Sequence, residues 1–309
     1  MKIALLEPLG VSGQKINELS EAFALGGHDF TYYDNRTEET DELIKRAEGA
    51  DAVILSNLPF RKNVIGECKN LKMISIAFTG VDHVDVEYCK QRGILVKNAA
   101  GYSTASVAEL AFGMIISLLR NMAPCDAAVR SGKTKDGLIG NDLCGKTLGI
   151  IGFGAIGSKM FEIGKAFGCE ILIHTRTAKP EYGSAAKFTD LDSLLTHSDI
   201  VSLHTPLSDS TKGLISKEKL ALMKPSALLI NTARGPIVDY EALAKALKEG
   251  KLAGAGIDVF EAEPPLRAAH PLLSAPNTIL APHVGFATKE ALERRADIAF
   301  DNIYQWLER

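Results

Sequence analysis

A glycine-rich hexapeptide at 152–157 has the spacing G-x-G-x-x-G and lies between an apolar, strand-like run and a segment with helical periodicity. This is the context in which the motif binds the pyrophosphate of a dinucleotide. Gly152 allows the tight turn, Gly154 lets the backbone approach the phosphates, and Gly157 lets the helix pack closely on the strand. The motif therefore predicts a dinucleotide site at a helix N-terminus, in preference to a purely structural glycine turn.

Three polar residues later in the chain, Arg234, Glu263 and His283, each follow a strand-like run. Because ligands bind at the carboxyl ends of parallel strands, we expect all three at the same rim of the sheet. A guanidinium can hold a substrate carboxylate by a planar fork. An imidazole can exchange a proton with a carbonyl or hydroxyl oxygen, and a carboxylate can orient that ring and favour its protonated form. Together they predict a site for the reduction of 2-oxo acids.

Each of the three has an ordinary structural interpretation when it is taken alone. An arginine after a strand is usually a surface charge, and Glu263 beside two prolines could be a turn residue. Most of the seven histidines are expected to be surface or core groups. Only the joint placement of the three residues after the glycine motif favours chemistry.

Four separate blocks make the sequence similar to the D-isomer-specific 2-hydroxyacid dehydrogenase family. They occur in the family's order and with its spacing, and the resemblance spans essentially the whole chain. The blocks are the glycine motif at 152–157, the tetrapeptide at 204–207, the segment 231–239, and the segment 255–265 together with 281–285.

The resemblance implies a role for many individual positions. Arg234 would bind the substrate carboxylate and carbonyl, His283 would be the acid/base, and Glu263 would be its partner. In the first domain, substrate contacts are implied at Asn57, Leu58, Thr79 and Gly80. The motif and the resemblance together predict cofactor contacts at Thr104 (or Val107), Gly152, Gly154, Ala155, Ile156, Gly157, Thr175, Arg176, Thr205, Thr232, Ala233, Asp258 and Gly285.

The order of strand-like and helix-like runs predicts an α/β protein with two doubly wound, parallel-sheet domains. The resemblance implies that a Rossmann coenzyme domain, 100–286, is inserted into a flavodoxin-like substrate domain, 1–99 plus 287–309. A nearly all-apolar run predicts a helix over 104–120 that is buried in the core or at a subunit interface. The family dimerises through the coenzyme domain, so we expect a homodimer. The last segment, 288–307, has the spacing of an amphipathic helix.

The end of the second strand of the nucleotide-binding unit bears on the choice of cofactor. NAD enzymes usually place a carboxylate there, which bonds the adenosine ribose hydroxyls. Here Thr175 stands at that position and Arg176 follows it. Threonine accepts a 2′-phosphate, and an arginine can form charge-assisted bonds to it. We therefore predict a preference for NADP over NAD, the alternative being that Arg176 stacks on adenine or points into solvent.

Composition limits the other classes of partner. The net charge of −3 and the absence of a long basic run argue against nucleic acid or an anionic membrane. The five cysteines are widely spaced, which is typical of reduced thiols in a cytoplasmic protein. The apolar run at 105–119 contains Glu109 and is shorter than the roughly 18–20 residues that a membrane span requires. We predict no metal site.

Small 2-oxo acids such as glyoxylate and hydroxypyruvate are the expected substrates, and the D stereochemistry follows from the resemblance alone. Arg61 and Lys62 could read a phosphate or second carboxylate, although solvated loop charges explain them more simply. Phe286 stands where the family often has a small residue, so it would narrow the site. A corepressor-like nucleotide sensor on the same fold is the alternative function, and Glu263 disfavours a formate-type enzyme, which carries an amide there.

Overall fold

The computed structural model describes residues 1–177, 182 and 186–308. The chain divides into two compact units, Met1–Ser103 with Ala287–Arg309, and Thr104–Phe286. Each unit is built around its own parallel sheet.

The first unit has a five-stranded sheet in the order β2-β1-β3-β4-β5, with every described pairing parallel. This is the flavodoxin-like order, which reverses beside β1 and leaves an open edge for loops at the carboxyl ends of the strands. The strands are β1 (Lys2–Leu5), β2 (Asp29–Tyr32), β3 (Ala52–Leu55), β4 (Met73–Ile76) and β5 (Leu95–Asn98). The helices are α1 (Gly13–Leu25), α2 (Thr40–Ala47), α3 (Lys62–Glu67), α4 (Val86–Gln91) and a C-terminal helix, Lys289–Leu307.

The C-terminal helix belongs to this first unit because its apolar stripe completes the core on one face of the sheet. Ala296, Ala299 and Phe300 are fully buried and pack in a cluster with strand residues of β1, β3 and β4. Ser75 of β4 donates a hydrogen bond of 2.8 Å to the carbonyl of Ala299. The last 20 or so residues of the chain thus pack on the sheet formed by its first hundred.

The second unit has a seven-stranded parallel sheet in the order β12-β11-β10-β9-β6-β7-β8. From β6 the chain adds β7 and β8 on one side of the sheet, and from β9 it adds β10, β11 and β12 on the other side. The switch point of the Rossmann topology therefore lies between β6 and β9. The strands are β6 (Thr147–Ile151), β7 (Glu170–His174), β8 (Lys187–Phe188), β9 (Ile200–Leu203), β10 (Leu228–Asn231), β11 (Gly254–Ile257) and β12 (Thr278–Leu280). The helices are α5 (Thr104–Leu119), α6 (Met122–Arg130), α7 (Ala155–Ala166), α8 (Leu191–His197), α9 (Lys217–Leu220) and α10 (Tyr240–Lys248).

The predicted fold class is confirmed, and the apolar helix predicted over 104–120 ends one residue earlier. Its buried residues, which include Ala111, Phe112 and Ile115, pack with β6 and β10, so α5 is a core helix of its own unit. Sequence reasoning did not predict α6, α8 or β8. Helix α6 contains no buried residue, and therefore it carries no apolar periodicity to detect. In the described residues no single helix could span a membrane by length and hydropathy, although α5 and α6, bent by 59°, pass that test as a pair.

Candidate active site

The glycine turn between β6 and α7 has a separate requirement at each glycine. Gly152 has φ +93, and a Cβ there would lie 2.4 Å from the carbonyl oxygen of His204. A Cβ at Gly157 would lie 2.1 Å from the carbonyl oxygen of Gly152. At Gly154, by contrast, a Cβ would meet nothing within 4 Å. The turn is thus closed against its own chain and open outward at Gly154, which is where a pyrophosphate would need backbone access.

Helix α7 begins at Ala155, and its first N–H groups have no partner within the helix because they precede its first turn of hydrogen bonds. A cavity of about 460 Å³ lies in front of this turn, at the carboxyl ends of β6, β7 and β9. Its lining includes five of the residues predicted to bind the cofactor, namely Gly152, Gly154, Thr175, Arg176 and Thr205. The cavity, the open glycine and the helix N-terminus together fit the diphosphate and adenosine portion of a dinucleotide.

Asn231 shapes the loop that carries Arg234. Its side-chain amide donates to the carbonyl of Arg234 (3.0 Å) and to the hydroxyl of Tyr240 (2.9 Å), and its Oδ1 accepts from the N–H of Ala233 (3.0 Å). Gly235 follows, and a Cβ there would lie 2.0 Å from the backbone of Phe260. Asn231 and Gly235 therefore position Arg234. Both residues lie within the family block at 231–239, but their types and spacing alone predicted no role for them.

Arg234 itself is half-buried at the carboxyl end of β10, and its Nη1 donates to the carbonyl of Ala233 at 2.7 Å. Thr232, two residues before Arg234, is buried, and no hydrogen-bond partner for its Oγ1 is found among the described residues. A buried hydroxyl usually has a partner, so Thr232 fits a position at which a bound ligand would supply one.

Asp258 holds the loop in which His283 lies. Its carboxyl group is buried, and its two oxygens accept the N–H groups of Val284 and Gly285, each at 2.8 Å. The N–H of His283 also donates to the backbone carbonyl of Asp258, at 2.8 Å. Burial raises the pKa of the Asp258 carboxyl, while the two backbone hydrogen bonds act in the opposite direction. The loop after β12 is thereby attached to the end of the neighbouring strand β11.

His283 adopts a left-handed backbone conformation, with φ +57. Such a conformation costs a non-glycine residue about 1 kcal/mol or more, and it is maintained only where surrounding contacts determine it. The hydrogen bonds to Asp258 supply those contacts. The conformation of His283 is therefore set by its neighbours in the fold rather than by its own preference.

The ring of His283 contacts the side chains of Glu263 and Phe286. Its Nδ1 lies 2.7 Å from Oε1 of Glu263, with the histidine side chain 20% exposed and the glutamate 72% exposed. The ring of Phe286 packs perpendicular to the imidazole, with the centroids 5.7 Å apart. Glu263 thus defines one ring nitrogen as a donor, and Phe286 restricts the rotation of the ring. Sequence reasoning did not anticipate this contact, and the narrowing of the site by Phe286 stays a prediction.

The remaining predicted positions fall into two groups. Within the second unit, Gly285 is buried, and a Cβ there would lie 2.9 Å from Asp258 and 3.5 Å from Val107, while Thr104 begins α5. Within the first unit, the loops after β3 and β4 contain Asn57 and Leu58, and Thr79 and Gly80, respectively. Asn57 and Thr79 are exposed, whereas Leu58 is fully buried, so its side chain packs inside its own unit.

The arrangement of the second unit supports proton transfer beside a nucleotide site. It contains an imidazole hydrogen-bonded to a carboxylate, an arginine at the end of a neighbouring strand, and an anion-binding turn on the same edge of the sheet. Among the described residues, no group of three or more histidine, cysteine or acidic side chains could hold a metal ion.

Alanine substitution at the two glycines should separate folding from dinucleotide binding. Gly157→Ala should lower both the melting temperature and the dinucleotide affinity, because the added Cβ would overlap backbone. Gly154→Ala should leave the melting temperature unchanged and weaken binding by about tenfold, since its Cβ would meet only the ligand. Thermal unfolding and fluorescence titration with dinucleotide measure both effects. Unchanged affinity in Gly154→Ala would contradict the placement of the pyrophosphate.

Comparison with known proteins agrees with this geometry. Residues 112–285, more than half of the chain, match the model of the family described as D-isomer specific 2-hydroxyacid dehydrogenase, NAD binding domain. The matched range contains the glycine turn, Arg234, Glu263 and His283.

The chain is similar to several oxidoreductases over most of their length. A glyoxylate reductase of Thermococcus litoralis is 41% identical over 272 residues, which cover 84% of this chain and 82% of the relative. A hydroxypyruvate reductase of Thermotoga maritima is 42% identical over 259 residues, covering 83% and 84%. The crystal structure of a glyoxylate reductase from Paecilomyes thermophila is 30% identical and superposes with a TM-score of 0.90 over 100% of this chain and 96% of that one. The chain therefore belongs to the D-isomer-specific 2-hydroxyacid dehydrogenase family of nicotinamide-dependent oxidoreductases.

Proposed function

We propose that the protein is an NADPH-preferring reductase of small 2-oxo acids, with glyoxylate and hydroxypyruvate as the leading substrates and D-2-hydroxy acids as products. The observation that carries this proposal is the 2.7 Å pair of His283 and Glu263, which lies at the same carboxyl edge of the sheet as the glycine turn. The relatives named for glyoxylate and hydroxypyruvate support the substrate class. They are enzymes by name, so they give the corepressor-like alternative no support.

The proposed chemistry assigns one task to each of three side chains of the second unit, Arg234, His283 and Glu263. When bound, the nicotinamide supplies a hydride to the carbonyl carbon of the substrate. Arg234 binds the substrate carboxylate through its guanidinium and polarises the carbonyl. His283 gives a proton to the carbonyl oxygen, and because Nδ1 is paired with Glu263, the transferred proton is the one on Nε2. Glu263 accepts the hydrogen bond from Nδ1 and so fixes the orientation of the ring.

Local contacts around two basic residues of the first unit favour a small substrate over a phosphorylated one. Arg61 pairs with Asp85 at 3.4 Å, and the ammonium group of Lys62 lies 5.3 Å from the ring centroid of Tyr88. Both charges thus have neighbours within their own unit. The carboxylate at Glu263, which is paired with His283, also supports a 2-oxo acid reductase rather than a formate-type enzyme.

The residues that follow β7, Thr175 and Arg176, support the preference for NADPH. Thr175 is half-buried and Arg176 is exposed, and both line the 460 Å³ cavity in front of the glycine turn. The lining also includes the hydroxyl-bearing residues Ser208, Ser210 and Thr211, and it includes no carboxylate among the residues that the structure describes. A cavity with hydroxyls and one guanidinium would favour the 2′-phosphate of NADPH, which an acidic residue would repel.

We also infer that the protein is a homodimer that assembles through the second unit and works in a reducing, cytoplasmic compartment. Helix α6 has no buried residue, and Val129 and the nearby Ile139 are 75% and 91% exposed. Large apolar side chains at such exposure mark interaction surfaces when they cluster. The five cysteines are all free thiols, which supports the choice of compartment.

Replacing His283 should remove turnover without removing cofactor binding. His283→Asn is expected to lower kcat about 10²–10⁴-fold with glyoxylate and NADPH, because the proton donor is lost. Dinucleotide affinity, measured by fluorescence titration, should stay within about twofold, since the glycine turn is untouched. His270→Asn is the matched control, because His270 also pairs with a glutamate, Glu261, at 3.2 Å. Near-parental kcat in His283→Asn would contradict the proposed acid/base role.

The cofactor preference is measured as the ratio of kcat/KM with NADPH to that with NADH, at low salt. We expect NADPH to be preferred by about tenfold or more, because a charge-assisted bond is worth about 1.5–3 kcal/mol. Arg176→Gln should reduce the ratio, and Thr175→Asp should reverse it. Arg267→Gln removes another exposed arginine of the same unit and should leave the ratio unchanged. A clear NADH preference in the parent protein would refute this part of the proposal.

The dimer is tested by light scattering on the eluted protein at micromolar concentration. The parent should elute as a dimer, and the double variant Val129→Glu/Ile139→Glu should elute as a monomer, since two charges would be buried on association. Leu25→Glu changes a similarly exposed leucine, 83% exposed, in the first unit and should not affect the mass. A monomeric parent protein, or an unaffected double variant, would count against this interface.

A further inference from the structure

A buried glutamate holds the loop that follows β3 in the first unit. Glu7 lies two residues beyond the end of β1, and its side chain is 3% exposed. Its Oε1 accepts hydrogen bonds from three successive backbone N–H groups, those of Ser56 (2.7 Å), Asn57 (3.0 Å) and Leu58 (3.1 Å). One carboxylate oxygen therefore determines how the whole 56–58 loop turns away from the sheet.

The second oxygen of Glu7 connects the loop to an arginine. Nη1 of Arg36 donates to Oε2 of Glu7 at 2.5 Å and to Oδ1 of Asn57 at 2.6 Å. Its Nη2 donates to Glu38 at 2.6 Å. A single guanidinium nitrogen, Nη1, thus binds both the buried carboxylate of Glu7 and the exposed side chain of Asn57. As a result, the direction of the Asn57 side chain depends on the Glu7–Arg36 pair.

Ser56, the first residue of the loop, is held from two further directions. Arg295 of the C-terminal helix donates to Oγ of Ser56 at 3.2 Å and to the carbonyl of Leu9 at 2.8 Å. The ring of His83 lies close to the backbone of Ser56, and burial lowers the pKa of this ring to about 4. The ring is therefore neutral at neutral pH, so it adds no charge beside Arg36 and Arg61.

These contacts have an energetic consequence for the loop. A buried carboxylate is costly unless it is paired and hydrogen-bonded, and Glu7 obtains its partners from three amides and one guanidinium. The loop can satisfy Glu7 only in an arrangement that directs all three N–H groups to one oxygen. Networks of this kind specify a single conformation because a partly satisfied alternative is penalised. Because Leu58 is fully buried and Asn57 is exposed, the contact group that this conformation presents is the amide of Asn57.

We propose that Glu7 and Arg36 are positioning residues that orient Asn57 for contact with the 2-oxo acid and so set the affinity for it. This inference rests on the proposed function and on the substrate contact at Asn57 that the family resemblance implies. Neither residue touches the reacting atoms in this proposal. Their effect reaches the substrate through the conformation of the 56–58 loop and the direction of the Asn57 amide.

The test is steady-state kinetics with glyoxylate and with hydroxypyruvate at saturating NADPH, for the parent protein, Glu7→Gln, Arg36→Met, Asn57→Ala and the double variant Arg36→Met/Asn57→Ala. Arg36→Met should raise KM about tenfold while kcat stays within about threefold, since a charge-assisted bond to Asn57 is lost and the proton donor is untouched. Glu7→Gln should do the same, because its amide would turn an N–H₂ group toward Arg36 or toward the loop. The Kd for NADPH should be unchanged in all variants.

The double variant distinguishes positioning from a general loss of stability. If Arg36 acts through Asn57, the double variant should have the KM of Asn57→Ala alone, whereas independent effects would multiply. Glu38→Gln is the matched control, because it removes the other, exposed partner of the same guanidinium and should leave KM at the parental value. Arg36→Lys should recover part of the affinity, since it keeps the charge but not the two-pronged contact.

The possible outcomes separate this inference from the proposed function. A parent protein that turns over neither substrate would overturn both. Turnover by the parent with unchanged KM in Arg36→Met, or multiplicative effects in the double variant, would overturn the positioning role alone. If Glu7→Gln does not fold, the cycle of Arg36 and Asn57 still decides the matter, because Arg36 is 39% exposed and its loss leaves the three amide contacts of Glu7 in place.

Discussion

The buried carboxylate of Asp258 is the interaction on which the candidate site of the second unit depends. It accepts two backbone N–H groups of the loop that carries His283, while the N–H of His283 bonds the Asp258 carbonyl. These three bonds offset both the burial of the carboxyl and the left-handed φ of the histidine. Without them the imidazole would have no fixed relation to Glu263 or to the strand ends on either side.

The first unit uses the same physical arrangement with a different residue. Glu7, like Asp258, lies just beyond the end of a strand and is buried, and its carboxylate accepts successive N–H groups from a neighbouring loop. In both cases the cost of burying a charge is offset only when the loop takes one conformation. Parallel sheets place such loops at their carboxyl edges, so a short acidic side chain at a strand end can control a loop that is distant in sequence.

Binding of the dinucleotide and selection of the dinucleotide are separate properties of this fold. The glycine turn is determined by backbone contacts, such as the 2.1 Å approach that a Cβ at Gly157 would make to Gly152, and these do not depend on which nucleotide binds. The residues that would read the ribose, Thr175 and Arg176, lie after the next strand and are partly or fully exposed. Selection can therefore change through exposed residues while the turn stays constant.

Local chemistry in the sequence was sufficient to predict the glycine turn, the two parallel sheets and the family. Each glycine answers a requirement of its own turn, and alternating strand and helix patterns are read over short windows. Helix α6 was not predicted because its segment contains no apolar periodicity, and strand β8 was not predicted because it has only two residues. The pairing of Glu263 with His283 was predicted from the residue types and from the resemblance, but its 2.7 Å geometry was not.

The tertiary structure alone decided how those residues are held. Asp258 meets residues 26 and 27 positions away, Glu7 meets residues 49 to 51 positions away, and Arg295 meets Ser56 across 239 positions. No local pattern encodes such pairs, because each depends on which strand ends the topology brings side by side. The packing of Phe286 against His283 is different, since the two residues are close in sequence and the histidine between β12 and Phe286 has a left-handed backbone. Residue types and spacing thus determined which chemistry is present, and the buried carboxylates determined where it is placed.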